Sequence, residues 1–324
     1  MKHTLVPALA LVAAFGAMPA WAQPVKWDLP SGYGPNTFQV QNLQWFAEEV
    51  DKATGGRLKI TLHPAASLFK ANEIKRAVQT GQTQIGEFIL SGAANENPLF
   101  GVDSIPFLAT TYAEARKLDA ASQPHLDKLL AGQGMKLLYT VPWPGQSLYS
   151  KKPVASLADL KGTKMRAYNP ATTRIAELAG AQPVTIQLAE LPQALATGGV
   201  DNFLTSSASG VDSKLYEQVK YFYDVNAWLP RNAVVVNAKA FDALDKPTQA
   251  AVVKVAAAAG DRGWKLSDQK DDEYLKELAA KGMAVDRGSV KLKAELKQVG
   301  ERMAAEWLKQ AGADGQALLD AYRK

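Results

Sequence analysis

The chain has 324 residues, 47 % of them hydrophobic, with 37 lysines and arginines against 32 aspartates and glutamates and no cysteine. That length points to about two domains and a core large enough to need no disulfide, and zero cysteine excludes thiolate metal sites, cysteine nucleophiles and a lipid-anchored N-terminal cysteine. The net charge of +5 is spread without a lysine–arginine run, which argues against nucleic-acid binding through a clustered patch and suits an anionic small ligand.

The N-terminal segment reads as an export signal. Lys2 and His3 form a polar start, an apolar run covers 5–18, and Ala20-Trp21-Ala22 puts small side chains at the two positions a signal peptidase requires. Cleavage is expected after Ala22, so that 324 residues less 22 leave a periplasmic chain of 302. The apolar run falls short of the roughly 20 residues a membrane span needs.

In the mature chain a first strand is predicted over 25–29. Tyr33-Gly34-Pro35-Asn36 makes a turn, and Asn36 is placed to cap a helix running to about 53, in which Phe38, Leu43, Phe46 and Val50 recur at helical spacing. Gly55-Gly56 ends it. An alternating strand follows at 58–62, then a helix at 72–80 stopped by Gly81, then a strand at 85–90. This β-α-β-α-β order predicts a parallel sheet with right-handed crossovers. A helix at 113–130 and a strand at 136–141 lead into Pro142-Trp143-Pro144-Gly145, a rigid, punctuated link. Alternation then resumes, with strands at 147–150, 164–167, 184–186 and 200–204 and helices at 171–179 and 190–197. A strand at 233–237 follows the break at Leu229-Pro230.

From Lys246 onward the chain is helix-rich. Residues 250–280 are interrupted only by Gly260 and Gly263, which predicts one long helix, kinked near those glycines and running across two domains. Helices at about 291–310 and 315–322 close the chain. The pattern gives two α/β lobes braced by a helical C-terminal part. The expected division is 23–143 with about 231–262 in one lobe and 144–230 with about 263–324 in the other. A ligand cleft belongs between them, beyond the carboxyl ends of the strands.

The segment 160–173 carries the chemistry. A short strand at 164–167 is followed by Asn169-Pro170, a helix start with Asn as cap and Pro at the first helical position. Arg166 therefore falls at the carboxyl end of a strand, just before a helix N-terminus. A guanidinium there can grip a carboxylate through two parallel hydrogen bonds, and helix-start N–H groups can assist. By position alone Arg166 is a candidate only, since most arginines are solvated surface charges.

With that segment the chain resembles the solute-binding proteins of the tripartite ATP-independent periplasmic (TRAP) transporters, over nearly all of the mature sequence. The resemblance rests on the order and spacing of short pieces. These are Gly34-Pro35-Asn36, Gly56-Arg57-Leu58 leading into His63-Pro64, the stretch 73–81, and Ile105-Pro106-Phe107. Then come Leu160-Lys161-Gly162-x-Lys164-x-Arg166, Gly180-Ala181-x-Pro183-Val184, and Glu190 through Ala194-Leu195 to Gly198 and Val200-Asp201. The resemblance implies a two-lobed periplasmic-binding-protein type II-like α/β fold with a long C-terminal helix spanning both lobes. It implies capture of a small organic acid, delivery to two membrane subunits, and a monomeric receptor with no enzymatic activity and no cofactor.

Arg166 is implied as the partner of the ligand carboxylate. Some relatives carry a second arginine where Gln146 stands, and the neutral side chain points to a ligand with one dominant carboxylate. Thr205 matches an asparagine of some relatives and can bond a ligand oxygen or cap a turn. Asn36 lies where relatives form the near wall of the cleft. Trp143, Tyr168, Phe203 and Trp228, with Tyr33, cluster near the predicted cleft edges and predict an apolar or aromatic ligand body. Ser91, just past the strand at 85–90, completes the ligand-binding set. No carboxylate cluster for a co-bound metal stands out.

Other readings have less support. Ser67-Leu68-Phe69-Lys70 matches the Ser-x-x-Lys pattern of periplasmic serine acyltransferases, but the Lys-Thr-Gly and Ser-Asp-Asn elements are missing. Only His63 and His125 remain after cleavage, leaving few candidates for a triad or a metal site. A binding protein of an ABC importer or a sensor system would share the lobes and the cleft. The helical stretch after Lys246 and the Arg166 segment favour the TRAP type.

Overall fold

The computed structural model describes residues 23–324, so the expected export signal lies outside the described residues. The first lobe starts with β1 (Val25–Pro30), α1 (Phe38–Ala53), β2 (Leu58–His63), α2 (Ile74–Gln79) and β3 (Ile85–Ile89). It continues through α3 (Tyr112–Gly132) into β4 (Met135–Pro142). The second lobe carries β5 (Ser147–Ser150), β6 (Lys164–Ala167), α4 (Pro170–Leu178), β7 (Gln182–Thr185), α5 (Leu191–Ala196), β8 (Asn202–Thr205), α6 (Ser207–Asp212) and β9 (Tyr221–Tyr223). The chain then returns as β10 (Arg231–Asn237) and α7 (Ala238–Asp242), and ends with α8 (Lys246–Ala280), β11 (Ala284–Asp286) and α9 (Val290–Arg323).

α1 forms as its apolar spacing predicts, and Phe38, Leu43, Phe46 and Val50 all enter the first-lobe core with Trp27 and Leu29. Its cap is Thr37 rather than Asn36. The extended backbone at Thr37 lets its hydroxyl accept from the Val40 N–H at 3.3 Å, and Asn36 is left exposed outside the helix. The expected parallel first-lobe sheet is found only for β1 and β2, paired from Val25 opposite Leu58 to Pro30 opposite His63. β3 and β4 instead flank the returning β10, both antiparallel to it. The partner of β3 arrives only after the whole second lobe has been made, so no local pattern announces it.

The second lobe holds a six-stranded sheet in the order β11-β9-β5-β8-β6-β7. β6 runs parallel to both β7 and β8, while β5 runs antiparallel to β8 and β9. One side packs Leu148, Met165, Ile175, Leu204 and Trp228. Another cluster holds Tyr149, Phe203 and Phe222. Each such fully buried side chain contributes roughly 1.5–3 kcal/mol.

Two strand-like crossings join the lobes, and they are hydrogen-bonded to each other. The Trp143 N–H donates to the Pro230 carbonyl, the Gln146 N–H to the Trp228 carbonyl and the Ala227 N–H to the Gln146 carbonyl, each at 2.8 Å. The link predicted at 142–145 is therefore half of a two-stranded ribbon.

α8 is the brace that the sequence predicted. It packs on α1 and β4 in the first lobe and on α6 and β11 in the second. It runs as one unbroken helix through Gly260 and Gly263. Those glycines let the helix lie close against β4: a Cβ at Gly260 would come within 3.2 Å of Tyr139 Cβ, and one at Gly263 within 2.4 Å of Val141 Cγ2. α9 spans the lobes too. Leu292, Leu296, Val299 and Met303 enter the second-lobe core, whereas Trp307, Leu318 and Leu319 join Leu99 and Leu118 of the first. The two predicted terminal helices are continuous but for Gly312, whose φ of 58° and ψ of −139° break the helix there. No helix among the described residues is long and apolar enough to cross a membrane.

Gly263→Ala separates the two roles of that glycine. Close packing predicts a loss of about 1–3 kcal/mol, read as a lower melting temperature, whereas a kink or flexibility role predicts a gain from the better helix former.

Candidate functional site

A cavity of about 120 Å³ lies between the lobes, bordered by the crossing ribbon. Trp143, Gln146, Arg166, Tyr168 and Thr205 all line it. The remaining predicted residues do not. Asn36 is exposed at the start of α1. Phe203 sits two residues deeper in β8 than Thr205 and stacks on Tyr149, with ring centroids 4.9 Å apart and planes 9° from parallel. Trp228 is buried in the second-lobe core. Ser91 is buried beside the cavity, and its Oγ accepts from Asn169 Nδ2 at 2.8 Å. That bond ties the first lobe to the cap of α4 in the second. Ser67 of the Ser-x-x-Lys pattern is exposed and is not among the cavity-lining residues.

Arg166 is held where the sequence puts it, at the end of β6. The turn after it is locked by a capping box: Asn169 Oδ1 accepts from the Thr172 N–H at 2.8 Å, and Thr172 Oγ1 accepts from the N–H groups of Tyr168 and Asn169 at 3.0 and 3.2 Å. Those two helix-start N–H groups are therefore committed to the turn and not offered to a ligand. Arg166 is only 3 % exposed. Its Nε donates to the Ile186 carbonyl at 2.9 Å, and its Cζ lies 4.8 Å from the Tyr168 ring centroid. Neither terminal amino group has a hydrogen-bond acceptor among the described residues, and no carboxylate pairs with the group. Burial lowers its pKa to about 10, which keeps it charged at neutral pH. A buried cation of this kind calls for an anion with two oxygens.

The neighbours of Arg166 hold one another. The Tyr168 hydroxyl donates to Gln146 Oε1 at 3.1 Å, and Gln146 Nε2 donates to the Pro144 carbonyl at 3.2 Å. Its Oε1 and one N–H of its Nε2 are thus used inside the protein, in support of Tyr168, while the side chain lines the cavity. Tyr33 and Trp143 meet at 4.9 Å between ring centroids and supply an aromatic wall. Thr205, 5 % exposed at the end of β8, brings a hydroxyl with no side-chain partner among the described residues.

A family model described as bacterial extracellular solute-binding protein, family 7 (DctP), matches residues 31–310. The chain belongs to the DctP family. Among solved structures it is 54 % identical to DctP6 of Bordetella pertussis, an extracytoplasmic solute receptor binding pyroglutamic acid, with a TM-score of 0.91 over 92 % of this chain and 99 % of that one. It is 45 % identical to DctP7 of the same organism, also described as binding pyroglutamic acid, with a TM-score of 0.92 over 93 % of this chain and 100 % of the other. A marine metagenome TRAP solute-binding protein specific for pyroglutamate is likewise 45 % identical, with a TM-score of 0.91 over 93 % and 99 % of the two chains.

This DctP-family site contains polar residues that sequence reasoning missed. Lys75 on α2 lines the cavity and pairs with Glu96 at 2.5 Å. Glu87 on β3 lines it as well, 1 % exposed, and is bonded to Ser31 and Asn232. A signal for Glu87 was present: a single carboxylate inside the apolar run Ile85-Gly86-Glu87-Phe88-Ile89, where burial without purpose is rare.

The Ser91–Asn169 bond makes two variants informative. Asn169→Ala removes the α4 cap and the contact between lobes together, and should destabilise the protein by about 1–2 kcal/mol in denaturant melts. Ser91→Ala removes only the contact and should cost about 0.5–1.5 kcal/mol. The double variant should cost less than the sum, because both single changes delete the same bond.

Proposed function

We propose that this protein is the periplasmic receptor of a TRAP-type transporter and that its ligand is pyroglutamate, a five-membered lactam bearing one carboxylate. The observation that carries the reading is Arg166, a buried guanidinium with both terminal amino groups unmatched, in a cavity of only about 120 Å³. A small monocarboxylate supplies the missing anion without a second charge, in keeping with the neutral Gln146. The lactam ring is flat enough to lie against Tyr33, Trp143 and Tyr168, and Thr205 offers a hydroxyl to a ligand oxygen. The three pyroglutamate-binding relatives at 45–54 % identity support this choice.

In this reading the ligand joins residues of both lobes and so favours the closed arrangement, since a ligand shifts an equilibrium only by its differential contacts. The crossing ribbon at 142–147 and 227–230 bends. We assign 23–143 with 231–262 to one lobe and 144–230 with 263–324 to the other. The packing of Trp307, Leu318 and Leu319 on first-lobe residues argues for counting the last turns of α9 with the first. The closed monomer would pass its ligand to two membrane subunits, acting as a receptor and not as an enzyme, after export and cleavage behind Ala22.

Isothermal titration calorimetry tests the assignment. Pyroglutamate should bind the wild-type protein, and Arg166→Ala should weaken binding by about 2–5 kcal/mol, at least roughly 30-fold in Kd. Arg166→Lys should also bind weakly, because an ammonium cannot reproduce the paired geometry. Unchanged affinity in Arg166→Ala would remove the anchor, and succinate binding more tightly than pyroglutamate would remove the ligand.

A further inference from the structure

The cavity holds a second ionisable group that carboxylate capture alone does not use. Glu87 comes from β3 of the first lobe, whereas Arg166 comes from β6 of the second, and both line the same small space. The hydrogen bonds around Glu87 have a fixed direction. Trp143 Nε1 can only donate, and it donates to Asn232 Oδ1 at 3.0 Å, as does the Tyr33 hydroxyl at 3.3 Å. The Asn232 amide must therefore turn its Nδ2 to Glu87 Oε1, at 2.9 Å. Ser31 Oγ accepts from the Tyr33 N–H and donates to Glu87 Oε2 at 2.6 Å. Each carboxyl oxygen already accepts one bond, whichever protonation state it is in.

No cation is paired with Glu87 among the described residues. Lys75, from α2, is engaged by Glu96. The titratable groups facing Glu87 from elsewhere are the phenols of Tyr33, after β1, and Tyr139, on β4. Arg262, on α8, acts on Tyr139, and Arg166 and Tyr168 share the cavity from the second lobe. Burial raises the Glu87 pKa to about 7, with its two hydrogen bonds opposing the shift.

An incoming carboxylate neutralises Arg166. An ionised Glu87 would then be an extra anion in a closed, poorly hydrated space, where like charges repel strongly. We propose that Glu87 is a second specificity residue of this site, taking one proton from solvent as a monocarboxylate binds at Arg166. The closed cavity then carries one guanidinium, one ligand carboxylate and a neutral carboxyl. An α-amino acid would instead need Glu87 ionised, to pair with its ammonium, so the protonated form favours a lactam acid and the ionised form a zwitterion. The proposal rests on the pyroglutamate reading for its ligand only.

The sign of the linkage follows. Proton uptake on binding means that affinity falls as pH rises above the free-protein value near 7 and is level below it. Calorimetry with pyroglutamate at pH 6, 7 and 8, in phosphate and in Tris, reads both quantities. At pH 8 nearly one proton should be taken up per ligand, with Kd about fivefold weaker than at pH 7. Glu87→Gln keeps an acceptor for Asn232 and gives Ser31 a donor. It should take up no proton and should bind more tightly than wild type at pH 8, whereas a merely structural role predicts weaker binding at every pH. Buffer-independent heats and a flat Kd in the wild type would overturn the proposal, and so would proton uptake persisting in Glu87→Gln.

Should pyroglutamate give no heat at any pH, the ligand assignment falls separately. The Glu87 claim is then read from its carboxyl carbon resonance in glutamate-labelled protein. A midpoint near 7 upholds it, and one in the ordinary carboxylate range overturns it. That spectrum and the wild-type titration also decide the matter if Glu87→Gln does not fold.

Discussion

A guanidinium removed from water with no carboxylate beside it is unfavourable by several kcal/mol, and the fold around Arg166 is organised to tolerate it. The Ile186 carbonyl takes Nε, the Tyr168 ring faces the planar group, and a capping box fixes the turn that carries Tyr168. What these contacts leave unmatched is the fork of the guanidinium, and that is where the proposed ligand carboxylate fits. Gln146 and Pro144 serve Arg166 indirectly by holding Tyr168, so the crossing ribbon and the anion site are one hydrogen-bonded unit. Motion of the ribbon is therefore felt directly at the site.

The long helices limit that motion. α8 crosses from the first-lobe core to the second, with Gly260 and Gly263 seating it against β4, and α9 crosses in the opposite sense. In the proposed closure a ribbon would bend alongside two stiff braces. The Ser91–Asn169 bond holds the lobes together through the residue that also caps α4.

The parts legible in the sequence are those with local causes. The Asn169 cap and Arg166 lie within four residues of each other, and the proline-flanked link announced itself by composition. The parts that were not legible depend on strand order. Glu87 meets Asn232 across 145 residues of sequence because β10 returns between β3 and β4. For the same reason the parallel sheet expected for the first lobe contains only β1 and β2. The aromatic residues divided by depth: Trp143 and Tyr168 at element ends reached the cavity, while Phe203 within β8 and Trp228 went to cores. At the start of α1, Asn36 and Thr37 were both able to cap, and the extended backbone at Thr37 decided between them. The close approach of α8 to β4 at its two glycines was not legible, because sequence alone does not reveal how closely a helix must approach its neighbour.

A crystal structure of the protein grown with pyroglutamate tests the central role of Arg166 most directly. The ligand carboxylate should lie in the plane of the guanidinium, with both oxygens at about 2.7–2.9 Å from its terminal nitrogens, and the ring should lie among Tyr33, Trp143 and Tyr168. A bound ligand whose carboxylate sits elsewhere in the cavity, with the Arg166 fork still unmatched, would contradict it.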